Sequence, residues 1–353
     1  MNNHVRTWLE KAWAAPPGTP PPGTWLLDVA SRLYGWGVRL QRPRARRGPI
    51  PVVSVGSIWS GGAGKTPLTA ELARLAAEEG GRPAIVLRGY RGEIRRGPVI
   101  VDPSFGNDAA KRFGDEACMH ARRNGVRVFV SPERFLGVVA AAGEGSRLAF
   151  LDDGMQHRRL ARDLEIVTLP AARPLANGLL LPRGPLRAPP GAIERADVVV
   201  LAHADRSSPP EESIALVRQL NASAEILVWS ARIRLRGLTG VPPGAGATVA
   251  LVSGIARPGS FREAVEALGA RVAWEASFGD HHAFTQAEID AVRARAIATG
   301  IEHLLVTEKD EMRMSALDLG EGVAFAVADL DLEWQTAGAE ESLRRRLRRL
   351  LGR

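Results

Sequence analysis

Short apolar runs rich in valine, isoleucine and leucine recur along the chain from residue 51, with stretches of helical periodicity between them. The runs at 51–55 (PVVSV), 84–88 (AIVLR), 126–130 (VRVFV), 148–152 (LAFLD), 164–169 (LEIVTL) and 197–202 (DVVVLA) are short and almost uniformly apolar. Runs of that kind predict strands buried on both faces. Helical stretches at 66–79, 115–124 and 132–143 separate several of them. The alternation predicts a mostly parallel sheet with helices on both faces, in which sites form beyond the carboxyl ends of the strands.

A further strand at 225–238 leads into the proline- and glycine-rich break VPPGAGA. From 248 a second alternating unit is expected: a strand ending in ALVSG, helix 259–269, strand 271–277, helix 285–298, and strands 303–307 and 323–329. The basic helix AEESLRRRLRRLL closes it. The expected organisation is an N-terminal segment, 1–47, a core domain, 48–235, and a smaller C-terminal α/β domain, 236–353.

Prolines exclude a helix from WAAPPGTPPPG at 13–23, which reads as a semi-rigid lead-in. The next stretch, TWLLDVASRLYGWGVRL at 24–40, has Thr24 as its candidate N-cap. At helical spacing Trp25, Leu26, Leu27, Val29, Ala30, Leu33, Tyr34, Trp36, Val38 and Leu40 share one broad apolar arc. Asp28, Ser31, Arg32 and Arg39 occupy the narrow remainder, and the arginine cluster RPRARRGP follows. The pattern suits a helix lying in the surface of an anionic membrane. It suits equally a helix packed on the domain it precedes, because periodicity does not separate the two.

Composition narrows the class. A chain of 353 residues, 45% hydrophobic and 24% charged, has the make-up of a soluble globular protein of about two or three domains. Its one cysteine, Cys118, excludes an internal disulfide framework and points to a reducing, cytoplasmic setting. No apolar run is long enough to span a bilayer, and MNNHVRTWLEKAW reads as lacking a signal-peptide core. The formal charge of +8 fits nucleic acid, a membrane surface or a phosphorylated substrate. Without a zinc-ligand cysteine pattern or a ribonucleoprotein aromatic motif, nucleic acid is not expected. No obligate protein partner is evident. Among 47 basic residues only Lys11, Lys65, Lys111 and Lys309 are lysines, so a lysine inside a motif is a pointed choice.

Lys65 stands in such a motif, SVGSIWSGGAGKTP at 54–67. A strand, a glycine-rich turn and Lys-Thr at a helix start are the physical recipe for a phosphate loop, although Trp59 occupies the place of the usual first glycine. Glycines let backbone N–H groups approach phosphate oxygens, and the helix N-terminus adds favourable potential. Ser60, Gly61, Gly62, Ala63, Gly64, Lys65 and Thr66 are the candidate nucleotide-binding residues, with Thr66 also a magnesium ligand. The expected fold class is therefore α/β of the P-loop NTPase type, plus the second, smaller α/β unit.

FLDDGMQH ends the 148–152 strand. Adjacent carboxylates at a strand end are costly without a cation, which makes Asp152 and Asp153 candidate magnesium ligands. His157 reads equally well as a structural histidine. In FGDEA, 113–117, Asp115 or Glu116 either caps a helix or does chemistry. In FGDHHAF, 278–284, His281 and His282 form only a weak metal-ligand pattern. VTEKDEM, 306–312, lacks the spacing of a guanine-reading motif, because Lys309 directly precedes Asp310.

In order along the chain, LYGWGVRL, VGSIWSGGAGKTP, LRGYRG (87–92), GDEA, LDDGMQH, NGLLLPRGPLR (177–187), FGDHHAF and VTEKD resemble the tetraacyldisaccharide 4′-kinases, which phosphorylate a lipid A precursor. That family's loop also lacks the first glycine and has one further upstream, as Gly56 is here. The resemblance implies ATP and Mg2+ as cofactors and a tetraacylated glucosamine disaccharide 1-phosphate as lipid substrate. It implies Asp115 as base on the sugar hydroxyl and His281 as its partner. It also implies a peripheral or monotopic location at the cytoplasmic face of the inner membrane, where the N-terminal helix meets an anionic surface. Departures from the family pattern are Ser57 for Asn, Ala117 for Pro, Met155 for Phe, Arg183 for Ala and Ala188 for a Glu near the metal or substrate. A rival reading is a membrane-associated P-loop switch ATPase of the partitioning kind, against which Trp59-Ser60 replace that group's second lysine. A third is an inactive lipid-binding protein.

Overall fold

The computed structural model describes residues 13, 24–40, 44–102, 104, 108–122, 126–202, 211–221, 226–240, 246–255, 258–279 and 282–352. The first six strands are β1 (Val52–Gly56), β2 (Pro83–Leu87), β3 (Val99–Ile100), β4 (Arg127–Val130), β5 (Leu148–Asp152) and β6 (Leu164–Pro170). They are followed by β7 (Val198–Ala202), β8 (Leu227–Gly240), β9 (Thr248–Ser253), β10 (Arg271–Ser277), β11 (His303–Thr307) and β12 (Ala324–Trp334). Two compact units are present. One comprises Met1–Lys65, Phe150–Arg232 and Trp334–Arg353, the other Thr66–Ala149 and Ile233–Glu333.

In the first unit the strands lie in the order β8, β7, β6, β1, β5. Their parallel registers include Val53↔Leu164, Ile166↔Val198 and Val198↔Leu227. β1, β5, β6 and β7 are buried along their whole length, as the apolar runs predicted. One interruption is polar: Ser54 and Glu165 are register partners, and Ser54 Oγ donates to Glu165 Oε1 at 2.7 Å. Arg162 Nε lies 3.3 Å from the other Glu165 oxygen. Burial nevertheless pushes the Glu165 carboxyl above its ordinary range, against the pull of Arg162 and Ser54.

The helix Trp25–Leu40 also belongs to this unit, and it packs by Asp28 and Ser31 of the polar remainder together with Tyr34 of the apolar arc. Ser31 Oγ donates to Leu180 O at 2.8 Å, Tyr34 Oη donates to Arg187 O at 3.0 Å, and Asp28 pairs with buried Arg183 at 3.1 Å. Gly35 sits so close that a Cβ there would lie 2.8 Å from Leu180 Cδ1. Most of the broad apolar arc therefore points outward, with Trp25 and Trp36 each 66% exposed and Leu26, Val29, Leu33 and Leu40 exposed beside them, whereas Leu27, Ala30 and Val38 are half-buried. No helix among the described residues is long and apolar enough to cross a membrane.

In the second unit β2 pairs with β4 in parallel and β3 with β4 antiparallel. β10, β9, β11 and β12 form a parallel set. Side chains alternate across that set, as the two-residue strand period requires. Ala250, Val252, Leu304 and Val306 pack with Ile289 and Val292 of the helix Gln286–Ala298. Val249, Leu251 and Leu305 pack with Phe261 and Val265 of the helix Pro258–Ala267.

The predicted strands and helices form with ends shifted by a few residues. The structure adds β3 and the short helices Ala109–Phe113, Glu211–Leu220 and Glu308–Met314. The last has a local cause that could have been read: Thr307 Oγ1 accepts from Asp310 N–H at 3.2 Å as N-cap, a Thr-x-x-acid pattern.

Candidate active site

The glycine loop begins where β1 ends. Gly56 is required by packing: a Cβ there would fall 2.3 Å from Met155 Cβ. Gly154 answers it from the β5 side. A Cβ on Gly154 would lie 2.4 Å from Ser54 Oγ, and its N–H donates to Val55 O at 3.0 Å. The two loops interlock at a distance only glycine permits.

The loop then runs along residues 174–187, which explains why Trp59 can replace the usual glycine. Trp59 forms an antiparallel bridge with Leu186, and its indole N–H donates to Pro174 O at 2.6 Å. Ser60 N–H donates to Pro185 O, and Arg187 N–H to Ile58 O. The entrance is thus extended backbone pinned by a neighbouring strap, a conformation any residue adopts. Ser57, also buried, donates from Oγ to Thr168 O at 2.7 Å and accepts from Trp59 N–H at 3.0 Å.

Gly62 and Gly64 have φ of +60° and +76°, the left-handed region that side chains avoid. Ala63 between them is buried, whereas Ser60 is exposed and Gly61 half-buried. The helix Lys65–Glu78 starts at once, with Thr66 second and no acid in its first turn. An N-terminus left this way favours an anion.

Asp152 ends β5 and is buried. Asp153 follows with φ +58°, a left-handed residue that is not glycine and costs about 1–2 kcal/mol. Its carboxylate is gripped by Arg187: Nη1 donates to Oδ2 at 2.8 Å and Nη2 to Oδ1. Lys65 Nζ stands 3.7 Å from the same Oδ1. Lys65, Asp153 and Arg187 therefore form one charged cluster beside the loop. Arg187 is the residue that reading the sequence did not single out. Its only signal there was its place at the end of NGLLLPRGPLR.

Thr66, Asp152 and Asp153 offer hard oxygen donors, the chemistry that suits Mg2+. Among the described residues no group of three or more His, Cys, Asp or Glu could hold a metal. Ala188 lies buried in an apolar cluster with Ile58, Met155 and Leu186.

Asp115 is placed in the second unit by a second set of glycine contacts. A Cβ on Gly114, at φ +91°, would lie 2.7 Å from Tyr90 O, and one on Gly92 would lie 2.8 Å from Arg112 O. LRGYRG thus presses on the start of the helix Asp115–Ala121. Asp115 Oδ1 accepts from Glu116 N–H at 2.9 Å within the first helical turn, whose N-cap is Gly114. Oδ2 accepts from Arg313 Nε at 3.0 Å and from Nη2, and both side chains are nearly buried. Arg313 also donates from Nη1 to Gly254 O at 2.8 Å and to Asp310 Oδ1 at 3.1 Å.

His281 lies outside the described residues. Its neighbour His282 bonds Glu288 at 3.0 Å and stacks on Phe278 with centroids 4.7 Å apart. Gly254 abuts this loop, since a Cβ there would lie 3.1 Å from His282 Cβ and 3.2 Å from Asp310 Oδ1. Asp115, Arg313, Asp310, Gly254 and His282 are therefore brought to one neighbourhood.

A parallel sheet whose first strand opens into a glycine loop, Lys-Thr at a helix start and an aspartate pair at the end of a nearby strand define a P-loop phosphotransferase. The family model for tetraacyldisaccharide-1-P 4′-kinase matches residues 23–348. A tetraacyldisaccharide 4′-kinase of Anaeromyxobacter dehalogenans (strain 2CP-C) is 43% identical over 303 residues, covering 82% of this chain and 79% of the relative. That of Halorhodospira halophila (strain DSM 244 / SL1) is 35% identical over 348 residues, covering 94% and 99%. A crystal structure of LpxK from Aquifex aeolicus in complex with ATP has a TM-score of 0.63 and 27% identity, covering 92% of this chain and 95% of that one. The chain belongs to the tetraacyldisaccharide 4′-kinase family.

Proposed function

We propose that the protein transfers the γ-phosphoryl group of ATP to the 4′-hydroxyl of a tetraacylated glucosamine disaccharide 1-phosphate, the phosphorylation step its family performs in lipid A synthesis. The observation that carries this reading is the Lys65–Asp153–Arg187 cluster beside the glycine loop, in a chain of that family. The amides of Ser60 to Gly64 and the Lys65 ammonium hold the phosphates. Thr66 and Asp152 would hold Mg2+, with Asp153 beside them carrying Arg187 on both oxygens, and the ion would neutralise phosphate charge. Asp115 accepts the hydroxyl proton, and His281 orients or relays it. In-line transfer needs that carboxylate within hydrogen-bond reach of the hydroxyl as it meets the γ-phosphorus. Residues 48–235 serve as the kinase core and 236–353 as the smaller α/β part.

Membrane seating belongs to the same proposal. The outward apolar arc of Trp25–Leu40 enters the surface of the inner membrane at its cytoplasmic face, and the arginines near it meet anionic headgroups. A substrate anchored by acyl chains is then met where it resides.

The test is incubation in detergent micelles with Mg2+, γ-labelled ATP and the disaccharide 1-phosphate. Labelled lipid that disappears in Lys65→Ala supports the kinase. Membrane-stimulated ATP hydrolysis without labelled lipid overturns it in favour of a switch ATPase. Absence of both in folded protein points to an inactive lipid binder.

A further inference from the structure

We infer that Arg313, backed by Asp310, is a positioning residue for Asp115. The inference rests on the reading of Asp115 as the proton acceptor. Three ion pairs join the helices Asp115–Ala121 and Glu308–Met314: Asp115–Arg313, Glu116–Lys309 at 3.5 Å and Arg122–Glu311 at 2.6 Å. The outer two are partly exposed, and pairs of that kind contribute little.

The Arg313 pair is different in kind. Its side chains are 9% and 10% exposed, and the guanidinium is held on every side. Nε and Nη2 go to one oxygen of Asp115, and Nη1 goes to Gly254 O and Asp310 Oδ1. Asp310 is itself immobilised. It is wholly buried, Thr307 Oγ1 donates to Oδ2 at 2.7 Å, and Gly254 N–H donates to Oδ1 at 3.0 Å.

A chain of oriented groups thus runs from the end of β11 through Thr307, Asp310 and Arg313 to the Asp115 carboxylate. Such a buried pair is weak evidence for stability, because desolvation offsets the attraction. Its effect is geometric: the planar fork fixes the carboxylate's rotamer, which a proton acceptor in an in-line transfer requires. Gly254 ties the same network to the loop that carries His282, so Arg313 also sets the carboxylate relative to that loop. Arg313 acts through Asp115 and needs no contact with the substrate.

The test is a double-mutant cycle on the full-length protein in the lipid-labelling assay. Arg313→Gln is expected to lower kcat by about 10–100-fold, the scale of a misplaced catalytic group, with KM for ATP and lipid changed less than about threefold. Arg313→Lys, which keeps the charge without the fork, should recover part of the loss. In an Asp115→Asn background, Arg313→Gln should add almost nothing. If Arg313→Gln fails to fold, Asp310→Asn replaces it in the cycle with the same expectation. Independent losses that multiply, or a loss confined to KM, overturn the positioning role. Full activity of Asp115→Asn would overturn the reading of the base itself. Loss in Asp115→Asn with full activity in Arg313→Gln would remove only the inference.

Discussion

Arg187 grips Asp153 with both terminal nitrogens of its guanidinium, while Lys65 of the glycine loop approaches the same carboxylate to 3.7 Å. Two cations on one carboxylate, next to a helix N-terminus without acids, make this edge of the glycine loop positive. Arg187 is also tied by its backbone N–H to Ile58 O and by its carbonyl to Tyr34 of the N-terminal helix, so its placement is tertiary.

The fork should matter more than the charge at this position. Arg187→Lys keeps a cation but cannot bond both carboxylate oxygens. It is expected to lower kcat/KM for ATP by about tenfold, on the order of one charge-assisted hydrogen bond, with an unchanged circular dichroism spectrum. Wild-type kinetics in this variant would show the pair to be incidental.

Gly56 and Gly154 are expected to tolerate no side chain. Gly56→Ala or Gly154→Ala forces atoms apart where contacts of 2.3 and 2.4 Å would arise, a cost of about 1–3 kcal/mol. Gly143→Ala, where a Cβ meets nothing within 4 Å, serves as control and should be neutral or slightly stabilising. Urea unfolding of the three variants checks this; equal midpoints would contradict the interlocked loops.

Cys118 should be a poor nucleophile in the native protein. Burial, and then the negative charge of Asp115, push its thiol up to about 11. At pH 8 native protein should react with a thiol reagent far more slowly than unfolded protein. The raised value also sets a sign: this group's contribution to stability is full below the unfolded-state pKa, about 8.5–9, and is lost as pH rises through about 11. Thermal midpoints that rise between pH 9 and 11 in wild type relative to Cys118→Ala would contradict it.

The outward apolar arc of the N-terminal helix gives a last prediction. Leu33 and Trp36 are exposed, so Leu33→Glu with Trp36→Glu should leave the fold within about 0.5 kcal/mol. Each side chain entering a membrane is worth about 1.5–3 kcal/mol, so the double variant should sediment with anionic phospholipid vesicles at least about tenfold less. Unchanged sedimentation would place membrane contact elsewhere.

The pattern of apolar runs determined the strands and their burial on both faces, and the glycine motif determined the turn between β1 and the helix Lys65–Glu78, because those properties are local: they depend on period, turn chemistry and the order of residues along the chain. Motifs along the chain also named Lys65 and the Asp152–Asp153 pair as candidates, and the structure sets Lys65 3.7 Å from Asp153. The pattern left the N-terminal helix with two equally good packings, since an apolar arc looks the same turned inward or outward. The tertiary structure decided that by placing Ser31, Asp28 and Tyr34 against residues 180–187. The partners of Asp153 and Asp115 were likewise invisible: Arg187 is 34 residues from one and Arg313 is 198 from the other. Nothing in one chain's spacing reports a contact across such separations, because folding alone brings those residues within bonding distance. The reason for Gly56 was hidden for the same cause, as Met155, which forbids a side chain there, arrives from the turn after β5.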